Sequence, residues 1–461
     1  MEPYKVLVVD DSAFMRKIIS DLIETEPAFR VTATAANGRE AIMKVKELRP
    51  DLVTMDVEMP EMNGLEALKM IMAEQPLPVI MLSGINEQGM KETIMALEWG
   101  AFDFIRKPSI SNSQDIRSVG EALREQMNEA MLARRQREER AQALLAQGPA
   151  PMPAPKPESP PPAKAEPLPK APELPGRLPE AKLKPQAPKP PAAEALRKPA
   201  APVQPGSKAA KPASQPAPAA RRAAAEKPVG RSGAERPAGK PLQPAAAPVQ
   251  AAGSEPPVAA GDRKPGAGKG LRKLVAVGTS TGGPRALKAF LEHIPADFPA
   301  PIVIVQHMPP NFTKSLAQRL NTFSPLEVAE AEHGMVLRPG AAYIAPGGYH
   351  LKVVPSGGGQ YSIQLSQEEA RNGHRPSVDT LFESLLPLNE LERHAVIMTG
   401  MGSDGARMMK SLYDSGVTST FAESEETCVV YGMPRSAVEL QCVRHILPLQ
   451  EIAPRLVQAV K

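Results

Sequence analysis

The stretch Leu274–Pro284, LVAVGTSTGGP, decides how the second half of this 461-residue chain folds. Its first four residues are apolar and two are β-branched, which is typical of a buried strand. The run stops at Gly278, and Ser280 follows two residues later. The apolar residues after this turn recur at helical spacing: Leu287, Phe290, Leu291 and Ile294. Ser280 is therefore predicted to lie between a strand and a helix, at the strand end where open α/β sheets bind ligands.

Two later apolar runs have the same form. Pro301–Val305 leads into His307, and Ala395–Met398 leads into a glycine-rich loop that contains Asp404. If the three strands are parallel neighbours, Ser280, His307 and Asp404 emerge at one edge of the sheet. A hydroxyl, an imidazole and a carboxylate are the residue types of a nucleophile, its general base and the group that orients the base. The sequence therefore predicts a Ser-His-Asp catalytic triad.

Each of these three residues also has a simpler interpretation. The turn GTSTGG could bind a phosphate, although it lacks both the G-x-G-x-x-G spacing and a P-loop Lys-Ser/Thr. His307 could be an ordinary histidine at a strand end, and Asp404 could cap a helix. Gly278–Gly282 fits the G-x-S-x-G nucleophile elbow, but the order Ser, His, Asp differs from that of α/β-hydrolases, so that fold is not implied. The combination of the three favours catalysis.

Composition divides the chain into two folded blocks and a middle segment. Of the 53 prolines, 31 lie between Pro149 and Pro265, and no aromatic residue lies between Phe104 and Phe290. Such a segment cannot bury enough apolar surface to offset its ordering entropy. We predict an N-terminal block over residues 1–125 and a C-terminal block over 271–461. Residues 126–270 are predicted to be a helical extension followed by a Pro/Ala/Lys-rich disordered linker.

The formal net charge of +4 is concentrated in the middle of the chain. Residues 141–270 contain 20 basic and 9 acidic residues, whereas the rest contains 35 basic and 42 acidic residues. Because the folded blocks are acidic, we expect no nucleic-acid partner. No apolar run approaches the ~20 residues needed to span a bilayer, and the first residues lead straight into strand-like KVLVVD. We therefore expect a cytoplasmic protein without membrane insertion.

Residues 4–125 alternate five apolar strands with helices, which predicts a doubly wound parallel sheet covered on both faces. Polar side chains follow four of these strands: Asp10, Asp11, Asp56, Ser83 and Lys107. Three carboxylates in one place repel each other unless a cation neutralises them, and their oxygens suit Mg²⁺. Such a site could position a phosphoryl group for transfer to one carboxylate, with the hydroxyl and the lysine holding the phosphoryl oxygens. Solvated turn formers are the alternative interpretation.

Two further regions are predicted from their patterns. Residues 114–147 should form one long charged helix, whose RRQREER run we expect to be a solvated face extending toward the linker. The C-terminal block alternates strands and helices again, which predicts a mostly parallel α/β sheet. Its Gly/Pro-rich stretch over residues 326–365 is predicted to add an antiparallel extension. The two cysteines, Cys428 and Cys442, indicate neither a disulfide framework nor a metal cluster.

Residues 4–110 resemble a response-regulator receiver domain, on the motifs VVDDS, TMDVEMPEMNG and FDFIRKP. The resemblance implies a five-stranded flavodoxin-like fold. It also implies that Asp56 accepts a phosphoryl group from a chemotaxis histidine kinase, while Asp10 and Asp11 help to hold Mg²⁺.

The same resemblance assigns the switch residues of the N-terminal block. Ser83 and Lys107 match the switch hydroxyl and the switch lysine, and Phe104 stands at the aromatic switch position without the hydroxyl that many relatives carry. By the same analogy, the Lys107–Pro108 peptide bond is expected to be cis.

Residues 273–461 resemble the catalytic domain of chemotaxis protein-glutamate methylesterases of the CheB type. The matching motifs occur in order: VGTSTGGP, VIVQHMP, YIAPGGYHL, RPSVDTLF and TGMGSDGA. The resemblance implies hydrolysis of glutamate methyl esters on methyl-accepting chemoreceptors, with release of methanol, and deamidation of receptor glutamines. It places Ser280, His307 and Asp404 at the triad positions and implies no cofactor for the esterase.

The receiver is also expected to regulate the esterase. The family resemblance implies that the unphosphorylated receiver blocks the esterase, and a linker of about 120 residues should weaken this autoinhibition. Backbone N–H groups around Met401 and His307 are candidates for the oxyanion hole, near the positive end of the helix that starts at Pro284. The alternatives are a non-enzymatic, phosphorylation-gated binding protein and an esterase of the same fold that acts on a non-chemotaxis receptor.

Overall fold

The computed structural model describes residues 2–84, 86–108, 113–146 and 270–461. The linker predicted to end at residue 270 lies outside the described residues except for its last residue, Gly270. Within the parts of the chain that the structure describes, no helix has the length and apolar character needed to span a bilayer.

The N-terminal block is a five-stranded parallel sheet flanked by helices. Its strand order is β2-β1-β3-β4-β5, and every neighbouring pair is parallel, which confirms the predicted doubly wound fold. Its elements are β1 (Tyr4–Val9), α1 (Ala13–Glu24), β2 (Phe29–Ala35), α2 (Gly38–Leu48), β3 (Leu52–Asp56), α3 (Gly64–Glu74), β4 (Val79–Ser83), α4 (Glu87–Glu98), β5 (Asp103–Arg106) and α5 (Ser113–Ala146).

Local sequence explains where these helices begin. Ser12, Asn37, Asn63 and Asn86 each precede a helix and accept a hydrogen bond from a backbone N–H in its first turn. Such caps satisfy donors that have no partner within the helix. The expected cis bond at Lys107–Pro108 is wrong, because the cis peptide bond found among the described residues is Arg375–Pro376.

Helix α5 extends beyond the first block and contacts the C-terminal block. Arg137 Nη2 donates to the carbonyl oxygen of Val429 at 3.1 Å, and Arg140 Nη1 donates to that of Glu425 at 2.9 Å. Arg140 also forms an ion pair with the Glu425 carboxylate. The prediction of a wholly solvated RRQREER face is therefore wrong at these arginines, because a charge run reports polarity and not the acceptors that the fold brings to it.

The C-terminal block contains a seven-stranded sheet with the order β14-β13-β12-β6-β7-β9-β8, in which every neighbouring pair is parallel. Strands β10 and β11 form the antiparallel part as a separate two-stranded sheet. The elements are β6 (Lys273–Thr279), α6 (Gly283–Leu291), β7 (Ile302–Gln306), α7 (Phe312–Asn321), β8 (Glu327–Glu330), β9 (Ala341–Ile344), β10 (His350–Gly357), β11 (Gln360–Ser366), α8 (Val378–Leu385), β12 (Glu392–Ile397), α9 (Ala406–Asp414), β13 (Ser419–Glu423), α10 (Met433–Glu439), β14 (His445–Leu447) and α11 (Leu449–Val460).

The three strands that carry the predicted triad are neighbours at the centre of this sheet, in the order β12-β6-β7. Their apolar residues are buried, and both faces of the sheet are covered, so the strands read as continuous apolar runs. Helix α8 approaches β6 closely because position 278 is glycine. A Cβ there would lie 2.4 Å from Cγ1 of Val378, which real structures do not tolerate.

Candidate active site

Ser280 lies directly after β6, in a tight turn whose backbone is fixed on both sides. Its N–H donates to the carbonyl of Thr399 at 3.0 Å, and its own carbonyl accepts from the N–H of Gly283 at 2.8 Å. Gly282 has φ +80°, and a Cβ there would lie 2.6 Å from Val429, so this position requires glycine. The Ser280 hydroxyl makes no hydrogen bond to any described residue. The backbone of the turn is therefore held by hydrogen bonds, while the hydroxyl is unpaired among the described residues.

His307 and Asp404 are in direct contact, since Nε2 of the imidazole lies 2.8 Å from Oδ2 of the carboxylate. A carboxylate can only accept, so Nε2 carries the proton in this pair. Nδ1 of His307 is buried and has no hydrogen-bond partner among the described residues. In the neutral ring this nitrogen holds the free lone pair, so Nδ1 is the atom that can take a proton.

Asp404 is held by more donors than His307 alone. Its carboxylate oxygens also accept from Ser377 Oγ (2.9 Å), Asn372 Nδ2 (2.7 Å), Val378 N (2.6 Å) and Asp379 N (3.2 Å). Although burial raises the pKa of Asp404, its hydrogen bonds with His307, Asn372 and Val378 outweigh burial and hold it well below its usual range. The carboxylate therefore stays ionised and keeps the imidazole oriented.

This arrangement decides against the simple capping interpretation of Asp404. Helix α9 follows it, but the N-cap of α9 is Gly405, and the first-turn N–H of Met408 donates to the Asp379 carboxylate at 3.1 Å and not to Asp404. Asp404 instead accepts from the N–H groups of Val378 and Asp379, the first two residues of α8. Helix α8 precedes β12 in the chain, whereas α9 follows it. A negative charge at a helix N-terminus is favourable, and here it also positions a histidine.

A second histidine, for which the sequence predicts no role, completes the site. The ring of His374 stacks on that of His307, with centroids 3.7 Å apart and planes 9° from parallel. Burial, with a smaller contribution from the charge of His307, lowers the pKa of His374 to about 4. His374 therefore stays neutral at pH 7. Together with Ser280 and Asp404, both histidines line a cavity of about 650 Å³.

The backbone N–H of His307 is not available for an oxyanion hole. It donates to the carbonyl of Thr279 at 3.1 Å, so the expectation is wrong for His307 itself. Met401, in contrast, lines the same cavity, and its N–H has no acceptor among the described residues.

The acidic cluster of the N-terminal block forms as predicted. Ligand oxygens of Asp10, Asp11 and Asp56 lie within 4.8 Å of one another. Lys107 Nζ lies 2.8 Å from Asp10 Oδ2 and 2.7 Å from Asp56 Oδ2. Burial raises the pKa of Asp56 to about 6 against the effect of Lys107, and Asp10 adds to the rise. Three carboxylates that one ammonium does not balance are a donor set that fits Mg²⁺.

The predicted switch residues have different surroundings. Ser83 is buried, and its hydroxyl accepts from Thr93 Oγ1 at 2.6 Å and donates to the Gly84 carbonyl at 3.0 Å. Phe104 is buried against Phe312 of the C-terminal block, with ring centroids 4.5 Å apart. The aromatic position therefore links the two folded blocks.

The same strand β5 reaches the turn that holds Ser280. The Asp103 carboxylate accepts a hydrogen bond from the hydroxyl of Thr281, the residue after the predicted nucleophile. Burial raises the pKa of Asp103 to about 6. Asp103, Phe104 and Ile105 line the cavity that contains Ser280 and His307. Sequence reasoning missed Asp103, because no local pattern links residues 178 positions apart.

Each of the two folded blocks matches a known protein family. The CheB methylesterase family matches residues 275–456, and the response regulator receiver domain matches residues 6–119. The chain is 39% identical over 460 residues to a protein-glutamate methylesterase/protein-glutamine glutaminase of Geobacillus kaustophilus, covering 100% of this chain and 99% of the relative. The chain belongs to this methylesterase family.

Further relatives of this methylesterase have the same name and extent. The protein-glutamate methylesterase/protein-glutamine glutaminase of Halalkalibacterium halodurans is 37% identical over 457 residues, covering 99% of this chain and 98% of the relative. Among solved structures, the Thermotoga maritima CheB methylesterase catalytic domain is 43% identical and has a TM-score of 0.40. That match covers 41% of this methylesterase and 99% of the solved chain.

Proposed function

We propose that this chain is a cytoplasmic enzyme that hydrolyses glutamate methyl esters on methyl-accepting chemoreceptors, releasing methanol, and deamidates receptor glutamines. The observation that carries the proposal is the His307–Asp404 pair at 2.8 Å, in one cavity with a free Ser280 hydroxyl. The names of the relatives support the substrate, because they specify both the ester and the amide reaction.

In the proposed mechanism, Ser280 Oγ attacks the ester carbonyl while Nδ1 of His307 takes its proton. Asp404 keeps Nε2–H in place and stabilises the imidazolium that forms. Collapse of the tetrahedral intermediate breaks the bond to the methoxy group, and Nδ1–H protonates the departing methanol. Water then attacks the acyl-enzyme with the same base, which releases glutamate and restores the serine. With a glutamine substrate, ammonia leaves in place of methanol.

The negative charge on the intermediate needs donors at the turn. The N–H of Met401 is our candidate, since Met401 lines the cavity and this N–H has no acceptor among the described residues. Helix α6 begins at Gly283, three residues after Ser280, and adds the positive end of its dipole. Donors fixed before the reaction stabilise the developing charge without reorganisation cost.

Control is proposed to come from phosphorylation of Asp56 by a chemotaxis histidine kinase. Asp10, Asp11 and Asp56 would hold Mg²⁺, which when bound neutralises the carboxylates and the incoming phosphoryl oxygens. Lys107, already beside Asp56, would pair with the new phosphoryl oxygens. Phosphorylation adds about 1.5–2 negative charges at a site connected through Lys107 to strand β5.

The receiver is proposed to inhibit the esterase until that charge arrives. All four residues of β5 line the cavity of Ser280, and Asp103 accepts a hydrogen bond from Thr281 beside it, so the receiver would restrict the entry of a substrate side chain. A connection of about 120 residues lowers the effective concentration of one block near the other. We therefore expect weaker autoinhibition than in a relative with a short linker. Deleting residues 1–140 should raise turnover less here than the same deletion does in such a relative.

A methanol-release assay tests the proposal directly. The full chain is incubated with membranes that carry methylated chemoreceptors, with and without a small phosphodonor, next to the Ser280→Ala variant. We expect methanol from the parent, more with the phosphodonor, and none from the variant. Receptor binding without methanol would support the non-enzymatic alternative. Turnover retained in Ser280→Ala would remove that residue from the mechanism.

A further inference from the structure

One buried amide joins the turn of the predicted nucleophile to the turn of the predicted base. Gln306 is the last residue of β7 and is only 2% exposed. Its Nε2 donates to the carbonyl oxygen of Ser280 at 2.9 Å and to that of His307 at 3.1 Å. Its Oε1 accepts from the hydroxyl of Thr279 at 2.8 Å. Every polar atom of this side chain is therefore bonded.

The surroundings allow one orientation of the amide. Backbone carbonyls can only accept hydrogen bonds, so the NH₂ group must face Ser280 and His307. Oε1 then faces the Thr279 hydroxyl, which can donate to it. Position 283 leaves the necessary space, because a Cβ at Gly283 would lie 1.8 Å from Oε1 of Gln306. The amide is thus fixed by chemistry on one side and by packing on the other.

No direct hydrogen bond joins the side chains of Ser280 and His307 among the described contacts. Asp404 orients the ring of His307, but the Ser280 hydroxyl and His307 Nδ1 have no hydrogen-bond partner among the described residues. Their separation therefore depends on how the two turns are held together. The parallel pairing of β6 with β7 runs as far as Thr279 and Gln306, and the Thr279 hydroxyl also lies 3.3 Å from the Val305 carbonyl. Beyond that pairing, the turns are linked by the N–H of His307 on the carbonyl of Thr279 and by the amide of Gln306.

We propose that Gln306 is a positioning residue that sets the approach of Ser280 Oγ to Nδ1 of His307. The inference rests on the proposed roles of Ser280 and His307. Removing the amide leaves the His307 carbonyl oxygen without its described donor, and leaves the Ser280 carbonyl with the N–H of Gly283 alone. A buried carbonyl that loses its donor shifts to find a new partner. A misplacement of about 1 Å can cost about 10²-fold in rate, although the groups that bind substrate are unchanged.

The first test replaces Gln306 by methionine, which keeps length and volume but removes the donors and the acceptor. We expect Gln306→Met to lower kcat by about 10–100-fold in methanol release by the full chain, with KM within about twofold. Labelling of Ser280 by a fluorophosphonate should slow by a similar factor, since it reports the activation of the hydroxyl alone. Gln364→Met is the matched control, because Gln364 is exposed on β11.

The second test changes the group that orients the amide. Thr279→Val removes the hydroxyl that donates to Oε1, whereas Thr279→Ser keeps it. We expect a smaller loss of kcat in Thr279→Val, near-parent activity in Thr279→Ser, and a double variant with Gln306→Met no slower than Gln306→Met alone. If Gln306→Met does not fold, the Thr279 pair decides the question.

Several outcomes would overturn the inference. Parent-like kcat in Gln306→Met, a loss that appears only in KM, or additive losses with Thr279→Val would each show that the amide does not position the pair. Equal losses in Thr279→Val and Thr279→Ser would do the same. Failure of the proposed function is a different result, because turnover and labelling would then persist in Ser280→Ala.

Discussion

The five-stranded sheet and the seven-stranded sheet present acidic residues at the same kind of strand end, but the surroundings affect the charge in opposite ways. Asp404 receives five donors, and its pKa is held well below the usual range although burial opposes this. Burial and the neighbouring Asp10 raise the pKa of Asp56 to about 6 despite Lys107. One carboxylate is stabilised as an anion, and the other is left in an environment that favours its neutralisation.

The difference suits two kinds of chemistry. A carboxylate that must orient a general base in every turnover needs a constant charge, and fixed donors at the N-terminus of α8 supply it. A carboxylate that must accept a phosphoryl group reversibly needs a site that a cation and a modification complete. Both sites arise at strand ends, and the neighbours of each carboxylate make the difference.

The largest effect is expected from removing the negative charge of Asp404. Asp404→Asn keeps the shape of the side chain but not the negative charge, and its amide can donate to Nε2. That would move the imidazole proton to Nδ1, the atom that must accept from Ser280. We expect kcat to fall by about 10²–10⁴-fold, measured as methanol release by the full chain. Asp414→Asn, at the exposed end of α9, is the control; a loss below tenfold in Asp404→Asn would contradict this role.

A second effect is expected at Asp56, whose charge would change on phosphorylation. Asp56→Asn should leave basal methanol release within about twofold of the parent, since Asp56 does not line the cavity of Ser280. The increase caused by a small phosphodonor with Mg²⁺ should disappear. Full activation of Asp56→Asn by the phosphodonor would show that the phosphoryl group acts elsewhere.

A smaller effect is expected where α5 holds the C-terminal block. Arg140→Ala removes the contacts with Glu425, and exposed ion pairs contribute about 0.2–1 kcal/mol. Basal methanol release should therefore rise by about 1.5–5-fold as the receiver is released. The control is Arg135→Ala, an exposed arginine of α5 with no partner among the described residues. An unchanged or lower basal rate in Arg140→Ala would argue against a role in inhibition.

The smallest effect is a shift in stability with pH. Because the folded pKa of Asp56 is raised above its ordinary value of 3.8 to about 6, its contribution to stability is full below pH 3.8 and is lost as pH rises through 6. Asp56→Asn should raise the melting temperature by a few degrees at pH 7 and by less at pH 4.5. Mg²⁺ should stabilise the parent at pH 7 and Asp56→Asn much less. Equal shifts at both pH values would show that Asp56 ionisation does not cost stability.

Sequence patterns worked where one strand or one helix contains its own signal. The apolar runs before Ser280, His307 and Asp404 predicted three strands, and these are neighbours in the order β12-β6-β7. The alternation in the first block likewise predicted its parallel sheet. Burial on both faces forces such strands to be continuously apolar, so this feature can be read from the chain.

Patterns failed where the partner lies far along the chain. Asn372, His374 and Asp103 have ordinary local surroundings in the sequence, yet each contacts a residue of the site. Arg137 and Arg140 belong to a run that looks solvated, and their acceptors lie more than 280 residues away. A single sequence shows the donor but not the acceptor.

The sequence by itself determined the two α/β blocks, the segment between them, and which hydroxyl, imidazole and carboxylates end up at strand ends. Periodicity and composition determine these features, because burying apolar strands is a local requirement on each element. Only the tertiary structure decided that Asp404 is held as an anion by the start of α8, that His374 covers His307, and that β5 contacts the turn of Ser280. Those outcomes depend on distances between groups that only the packed chain brings together.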